Sequence, residues 1–287
     1  MPPPDTLTRR FRPEDLSVFT EEESARYLAG IDPRVMSRIH QDSEAWRAVC
    51  ERVAWELLYR LDPDLYDRLT EGETLHPKIM DWLPTRVRTA VELGAGTGRL
   101  TVQLAPRCEQ LIAVEPAAPL ARRLAAKLRS FGLSKVEVIK GFFDAVPVPD
   151  GWARLVVACS SFTSDPAHGG APGLSEMERV CAEEGLIVVI WPDDTEWMKR
   201  HGFETVTFSG QLTLKFQSVE EAVELSRIFY PHAVPEIIRG NLQEVPYETL
   251  GMTAPRMLSW KRKAAARSGV MAEELLKGSG PGRAHSA

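Results

Sequence analysis

Cysteine is scarce, and its placement excludes several kinds of site. The four cysteines, Cys50, Cys108, Cys159 and Cys181, lie far apart and form no C-x-x-C pair. Cysteines spaced in this way predict neither a structural zinc site nor an iron–sulfur cluster. We therefore expect reduced thiols in a cytoplasmic protein, with no metal centre and no radical chemistry.

Long apolar runs and an excess of positive charge are also missing. No stretch approaches the roughly 20 apolar residues that span a bilayer, and the first residues contain no apolar segment of a signal peptide. The formal net charge is -5, which disfavours a polyanionic partner. We expect no membrane segment and no nucleic-acid partner. With 287 residues, 44% of them hydrophobic, the chain can bury a sizeable core.

The residues before Pro84 predict helices only. Helical patterning begins near Pro13 and is expected to stop at Gly30. Asp32 followed by Pro33 is typical of a helix start, and apolar residues then recur at three- and four-residue intervals. This pattern predicts one long amphipathic helix, or two, ending near Leu61, followed by two short helices.

From Thr85 onward, short apolar strands alternate with helices, which is typical of a parallel sheet covered on both faces. The predicted strands are Arg88–Leu93, Gln110–Val114, Val136–Lys140, Leu155–Cys159 and Gly185–Trp191. The predicted helices are Leu100–Leu104, Pro119–Phe131 and Leu174–Glu183. Residues 203–216 predict a hairpin or two edge strands, and Ser218 begins a capped helix that runs to about Phe229. Arg256–Lys261 predicts a last strand.

Three glycines follow the first predicted strand, in the stretch Glu92-Leu93-Gly94-Ala95-Gly96-Thr97-Gly98. A strand that runs into G-x-G at a helix start brings backbone N–H groups against a ligand at the carboxyl ends of the strands. The spacing differs from the dinucleotide fingerprint G-x-G-x-x-G, and Glu92 would repel a pyrophosphate. The stretch therefore favours a ligand with an ammonium group and a carboxylate, and it disfavours a nicotinamide-dependent oxidoreductase.

A second acid ends the next predicted strand. Glu115 stands 19 residues after Gly96 and is followed by Pro116, which ends the strand. A carboxylate at this position can accept both ribose hydroxyls of an adenosine. Together, the motifs E-L-G-A-G-T-G and V-E-P resemble those of the class I S-adenosylmethionine-dependent methyltransferases, particularly the small-molecule, type-11-like branch. The resemblance covers residues 75–190.

The resemblance implies an α/β fold. We expect a doubly wound, Rossmann-like sheet of seven strands, in which the last strand lies antiparallel between the fifth and the sixth. An N-terminal helical cap is expected at residues 1–84 and the S-adenosylmethionine-binding core at 85–215. A lid helix and the last strand are expected at 216–263, and a helix with a disordered tail at 264–287.

The resemblance also implies the cofactor contacts. We expect S-adenosylmethionine to contact Glu92, Gly94, Ala95, Gly96, Glu115, Pro116, Phe142, Phe143, Asp144 and Ser160. Glu92 would lie near the ammonium group and Glu115 at the ribose. Relatives often carry an adenine-binding acid where this chain has Phe142. Either Asp144 substitutes for that acid, or Phe142 and Phe143 stack on the adenine while a backbone N–H reads it.

His168 is the catalytic candidate. It stands in the loop after the fourth strand, where family members contact acceptors, and it is either a general base or a solvated loop histidine. The same loop lacks the Asn/Asp-Pro-Pro-aromatic motif of relatives that act on base amines or amides. We therefore expect a small organic acceptor, and a monomer or homodimer. An RNA or protein methyltransferase and a non-catalytic S-adenosylmethionine-binding module stay open as alternatives.

Overall fold

The computed structural model describes residues 6–7, 9–29, 32–37 and 43–265. At its centre is a seven-stranded sheet in the order β3-β2-β1-β4-β5-β9-β6. Its strands are β1 Val87–Leu93, β2 Cys108–Val114, β3 Val136–Ile139, β4 Ala153–Cys159, β5 Cys181–Ile190, β6 Glu204–Thr207 and β9 Met257–Arg262. The pairs from β3 to β5 are parallel, and β9 is antiparallel to both β5 and β6. The predicted fold class and the place of the last strand are confirmed.

The central strands are buried almost without interruption. In both β1 and β4, only the second residue is exposed, which is typical of parallel strands covered on both faces. The register aligns Leu93 with Val114 on one side and with Ala158 on the other. The residues that follow β1, β2 and β4 therefore meet at one edge of the sheet, where ligands of doubly wound folds bind.

The residues before the sheet are helical, as predicted. A 3-10 helix, Pro13–Val18, is followed by α1 Glu21–Tyr27, α2 Pro33–Met36, α3 Glu44–Leu61, α4 Pro63–Glu71 and α5 Pro77–Trp82. The side chains of Thr20, Ser43 and Asp62 each accept the backbone N–H three residues ahead, which fixes the starts of α1, α3 and α4. Of the two alternatives for residues 32–61, the structure has two helices.

Four α-helices connect the strands of the core: α6 Thr101–Leu104, α7 Ala118–Ser130, α8 Gly170–Val180 and α9 Thr195–Arg200. The prediction of a helix over Leu174–Glu183 is wrong at both ends. The helix begins earlier, at Gly170, and it ends at Val180 because Cys181–Glu183 belong to β5. Cys181 pairs with Ala153, and a register shift before Leu155 lets the strand begin early. Cysteine and alanine are small residues that fit the end of a helix as well as a strand.

An insertion separates β6 from β9. It contains β7 Thr213–Lys215, α10 Val219–Phe229, α11 Val234–Gly240 and β8 Glu244–Pro246. A hairpin over residues 203–216 is not formed, because β6 pairs with β9 in the main sheet while β7 pairs with β8. Two separate strands, the other alternative, are found. Ser218 caps α10 as predicted, accepting the N–H of Glu221 at 3.2 Å.

One apolar cluster joins the N-terminal helices to the insertion. It includes Trp46 and Leu57 of α3 together with Phe229 and Tyr247, all of them 2% exposed or less. The ring of Trp55 stacks on that of Phe229 with 5.9 Å between centroids. We call the described residues of 7–71 and 212–254, which share this cluster, the cap unit.

No helix in the described ranges is long and apolar enough to cross a bilayer. The same residues contain no group of three or more His, Cys, Asp or Glu arranged to hold a metal ion. The predicted helix end at Gly30 and residues 266–287 of the predicted tail lie outside the described residues.

Candidate functional site

The glycine stretch turns the chain back at the end of β1. Gly94, Gly96 and Gly98 have φ angles of 67°, 57° and 98°, which side chains rarely tolerate. The N–H groups of Gly94 and Ala95 both donate to the carbonyl of Val114, at 2.9 and 3.1 Å. A Cβ added to Gly94 would lie 2.5 Å from the Ser161 hydroxyl oxygen. The loop therefore needs glycine for both its conformation and its space.

Glu92 is a buried acid on β1, only 1% exposed. Its Oε2 has no hydrogen-bond partner among the described residues. Burial raises the pKa of Glu92 to about 8, against smaller lowering contributions from Thr101 and Arg99. Because an unpaired buried carboxylate is costly, this arrangement suits a site where a ligand brings the missing donor.

Glu115 ties the end of β2 to the glycine loop. Its two carboxylate oxygens accept the N–H groups of Gly96 and Ala117, each at 2.8 Å. Burial raises the pKa of Glu115 to about 7, and the two N–H groups offset part of this effect. A carboxylate has about four acceptor positions, so Glu115 retains capacity for two further donors, such as a pair of hydroxyls.

Polar and aromatic side chains surround the loop on the cap side. Tyr66 of α4 covers Gly96, where a Cβ would lie 3.2 Å from the phenol oxygen. Arg99 forms an ion pair with the buried Glu73, and its guanidinium lies 5.8 Å from the Trp191 ring. The hydroxyl of Tyr247 is buried and has no partner among the described residues. This side can therefore contact a second molecule that has both flat and polar groups.

A cavity of about 40 Å³ opens beside Pro116, the residue after Glu115. Pro116, Phe142 and Phe143 form apolar walls, and Arg26, Tyr27 and Glu56 of the cap unit line the other side. The Arg26 guanidinium lies 3.9 Å from the centroid of the Phe142 ring. The structure thus brings four of the predicted contacts, Pro116, Phe142, Phe143 and Asp144, to one cavity.

The two predicted residues after β4 lie in different places. His168 lines the cavity with its Nε2 3.7 Å from Glu56 Oε1, and this carboxylate raises the pKa of the imidazole although burial opposes it. Ser160 is exposed, with φ 59°, and its N–H donates to the carbonyl of Ile190 at 2.9 Å. Ser160 is therefore at the end of β4 beside β5 and does not line the cavity.

Residues 90–185 match the family model described as a methyltransferase domain. This range runs from β1 through the glycine loop and Glu115 into β5. The core of the chain therefore contains a methyltransferase domain. The predicted methyltransferase family is borne out, and S-adenosylmethionine is the cofactor that this family implies.

Sequence relatives of the methyltransferase domain are found in mycobacteria. Two proteins described as uncharacterized methyltransferases, one from Mycobacterium bovis and one from Mycobacterium tuberculosis, are each 28% identical over 131 residues. The aligned part covers 44% of this chain and 50% of each relative. The chain thus spans about half the length of the curated relatives it matches.

Solved structures match this chain at low identity and with TM-scores below 0.5. The YcgJ protein of Bacillus subtilis is 12% identical, with a TM-score of 0.45, and the match covers 66% of this chain and 97% of that chain. A SAM-dependent methyltransferase from Aquifex aeolicus is 16% identical, with a TM-score of 0.42 and coverages of 54% and 94%. Values this low support no inference about function.

The residues of the methyltransferase domain fit S-adenosylmethionine. The free Oε2 of Glu92 suits the ammonium group of its methionine part, since a cation relieves the cost of the buried charge. The glycine loop leaves room for close approach of the ligand to the backbone. Glu115 retains acceptor positions for the two ribose hydroxyls, and Pro116 borders the cavity beyond it.

Sequence reasoning missed the cap residues at this site, above all Arg26 and Glu56. Glu56 lies within the apolar run Val53-Ala54-Trp55-Glu56-Leu57-Leu58 and is 4% exposed. Charged residues are almost never fully buried unless they are paired, so an acid on the buried face of a helix is a signal that was available. Arg26 carried no such signal, because it lies on a short helix with many charged neighbours.

Proposed function

We propose that this chain transfers the methyl group of S-adenosylmethionine to a small organic acceptor. The reaction would take place in the crevice between the methyltransferase domain and the cap unit. The observation that carries this proposal is the pair of buried carboxylates, Glu92 and Glu115, on either side of a glycine loop that Tyr66 covers.

Positioning is the main contribution of the chain. When bound, S-adenosylmethionine would supply a sulfonium methyl group for in-line attack by the acceptor, with the sulfur leaving as the neutral thioether of S-adenosylhomocysteine. Glu92 would accept a hydrogen bond from the ammonium group, and Glu115 would hold the sugar while it fixes the Gly96 loop. Tyr66 would close the loop side against water. Alignment and exclusion of water account for most of the acceleration that such a displacement needs.

The acceptor side supports a small and partly aromatic molecule. Trp191 and Tyr247 meet edge to face with 5.8 Å between ring centroids, and the Tyr247 hydroxyl offers a free donor and acceptor. The Arg99 guanidinium forms an ion pair with Glu73 and donates to the Cys159 sulfur, which fixes its position. An acceptor bound beside these side chains would lie between the cap unit and the core, which would limit its size.

That His168 acts as a general base stays a prediction. Its place in the cavity beyond Glu115, beside Glu56, supports a role in binding instead. A base would titrate in the pH dependence of kcat, whereas a binding residue would change KM and leave the shape of the kcat profile unchanged. The variant His168→Gln separates the two roles.

An RNA substrate receives less support from the surface. The basic residues Arg123 and Lys127 of α7 form ion pairs with Asp64 and Asp67 of α4, so much of their charge is already neutralised. Phosphate binding needs basic side chains that are free to replace counterions. The contacts therefore favour an internal role for this basic helix, which joins the core to the cap unit.

Binding and transfer are tested in sequence. Calorimetry with S-adenosylhomocysteine should give a dissociation constant, and absence of binding would contradict the cofactor site. Isotopically labelled S-adenosylmethionine is then offered with small-molecule extracts, total RNA or a protein fraction. Label in the small-molecule extract alone supports the proposal. Label in RNA or protein would contradict a small-molecule acceptor and assign that macromolecule as the substrate. Tight binding without transfer to any fraction would favour a regulatory module.

A further inference from the structure

A carboxylate from the cap unit faces the cavity beside Pro116. Glu56 of α3 is 4% exposed, and its Oε1 lies 3.7 Å from His168 Nε2. Its Oε2 has no hydrogen-bond partner among the described residues. A buried acceptor without a donor is costly, so a ligand that supplies one N–H or O–H at this position would be favoured.

The position of the cavity relative to Glu115 indicates which part of a ligand would reach it. Glu115 is placed to hold a ribose, and Pro116, the next residue, lines the cavity. A group attached to that ribose and extending past Pro116 enters between Pro116, Phe142 and Phe143. These side chains offer apolar surfaces that suit a flat ring. A ring bound there would face Glu56, which lines the same cavity.

Asp144, the other carboxylate at the cavity, is already engaged. It is exposed and forms an ion pair with Arg26, whose guanidinium also lies over the Phe142 ring. Tyr27 lines the same cavity, and burial together with the neighbouring Glu56 raises the pKa of its phenol, yet Glu56 Oε2 itself accepts no hydrogen bond from the described residues. Of the carboxylates that line the cavity, Glu56 is thus the one with a buried oxygen that lacks a donor.

We propose that Glu56, a residue of the cap unit and not of the methyltransferase domain, selects adenine by accepting a hydrogen bond from its exocyclic amino group. This inference rests on the proposed function, since it requires an adenosyl ligand in the site. Glu56 thereby takes the place of the acid that is missing at Phe142, and Asp144 holds the cap unit through Arg26.

The two sides of the cavity come from different parts of the molecule. Arg26 and Tyr27 of α1 line it on the cap side, and Pro116, Phe142 and Phe143 line it on the core side, so a ring bound there would contact both. Once the ring is in place, its amino group connects the cofactor to α3. Cofactor binding and docking of the cap unit are therefore coupled.

The test compares two ligands by calorimetry. One is S-adenosylhomocysteine, and the other is its 6-deamino analogue, which carries hydrogen in place of the amino group. Wild-type protein should prefer the adenosyl ligand by at least about tenfold, the effect of one hydrogen bond to a charged acceptor. Glu56→Leu should lose most of this preference, and Glu56→Gln, which keeps an acceptor oxygen without the charge, should retain part of it.

The control variant is Glu51→Gln, which changes an exposed carboxylate of the same helix α3, and Asp144→Asn tests the competing carboxylate at the cavity; the preference should persist in both. Thermal unfolding and circular dichroism verify that each variant is folded. If Glu56→Leu does not fold, the nearly isosteric Glu56→Gln provides the test. A preference that persists in both Glu56 variants, or that is lost in Asp144→Asn, would overturn the proposal. Wild-type protein that binds neither ligand would instead contradict the proposed function itself.

Discussion

Replacing Glu92 by glutamine should raise the stability of the unliganded protein while it weakens cofactor binding. The carboxyl is buried, and its pKa of about 8 lies well above the ordinary value of 4.5. An acid with a raised pKa in the folded state stabilises the fold only while it is protonated. That stability is present below pH 4.5 and is lost as the pH rises through 8. Glutamine is neutral throughout this range.

The magnitude follows from the two pKa values. Between pH 4.5 and pH 7 the folded protein keeps a proton that the unfolded chain releases, which costs about 3 kcal/mol at about 1.4 kcal/mol per pH unit. Glutamine removes this cost, but its buried amide has incomplete hydrogen bonds, which offsets about 1 kcal/mol of the gain in stability. A net gain of about 2 kcal/mol corresponds to a Tm increase of about 3 °C for a chain of this size.

Thermal unfolding of Glu92→Gln and wild type at pH 6 and pH 8.5, without ligand, measures this effect, and the gain should be larger at pH 8.5. Affinity for S-adenosylhomocysteine should fall at least about tenfold because the ammonium group loses its charged partner. Glu109→Gln removes an exposed carboxylate from β2 and should change the unfolding free energy by less than about 0.5 kcal/mol. A variant that is less stable at pH 8.5, or that binds the ligand as tightly as wild type, would refute the reasoning.

Three further predictions concern the same site. Gly96→Leu should abolish binding of S-adenosylhomocysteine in calorimetry, because the new side chain meets Tyr66 at a backbone conformation with φ 57°. Unchanged affinity would show that the glycine loop does not contact the ligand. Glu115→Ala should weaken the same ligand at least about tenfold through lost hydrogen bonds to the sugar and a loosened loop, and an equal affinity would argue against the ribose contact. Arg26→Ala should speed ligand association in stopped-flow fluorescence, because the ion pair to Asp144 no longer has to open, and a slower rate would contradict the coupling of the cap unit to binding.

The part of the site that could be predicted comes from one continuous stretch of strand, turn and strand. Glu92, the glycines and Glu115 stand at fixed distances along the chain, and parallel strands bring their carboxyl ends together by geometry. Local patterns of this kind also predicted the helix that begins at Ser218. Neither prediction required knowledge of which distant segments pack together.

The cap residues could not be predicted, since their contacts join segments far apart in the chain. Arg26 meets Asp144 across 118 positions, and Arg68 of α4 meets Glu224 of α10 across 156. Nothing local to either partner selects the other. The pairing of β7 with β8 was missed for the same reason, because three-residue strands have too few side chains to specify a register.

The apolar cluster shared by α3 and α10 limits how this protein can be divided. A fragment that ended after β5 would include all of residues 90–185 and yet would leave Trp46, Leu57 and Trp55 without the insertion that covers them. Such exposed faces lead to aggregation of the fragment. A recombination event, natural or engineered, that moved the matched core into another protein would therefore need to carry the flanking sequence on both sides, or to supply a replacement for each.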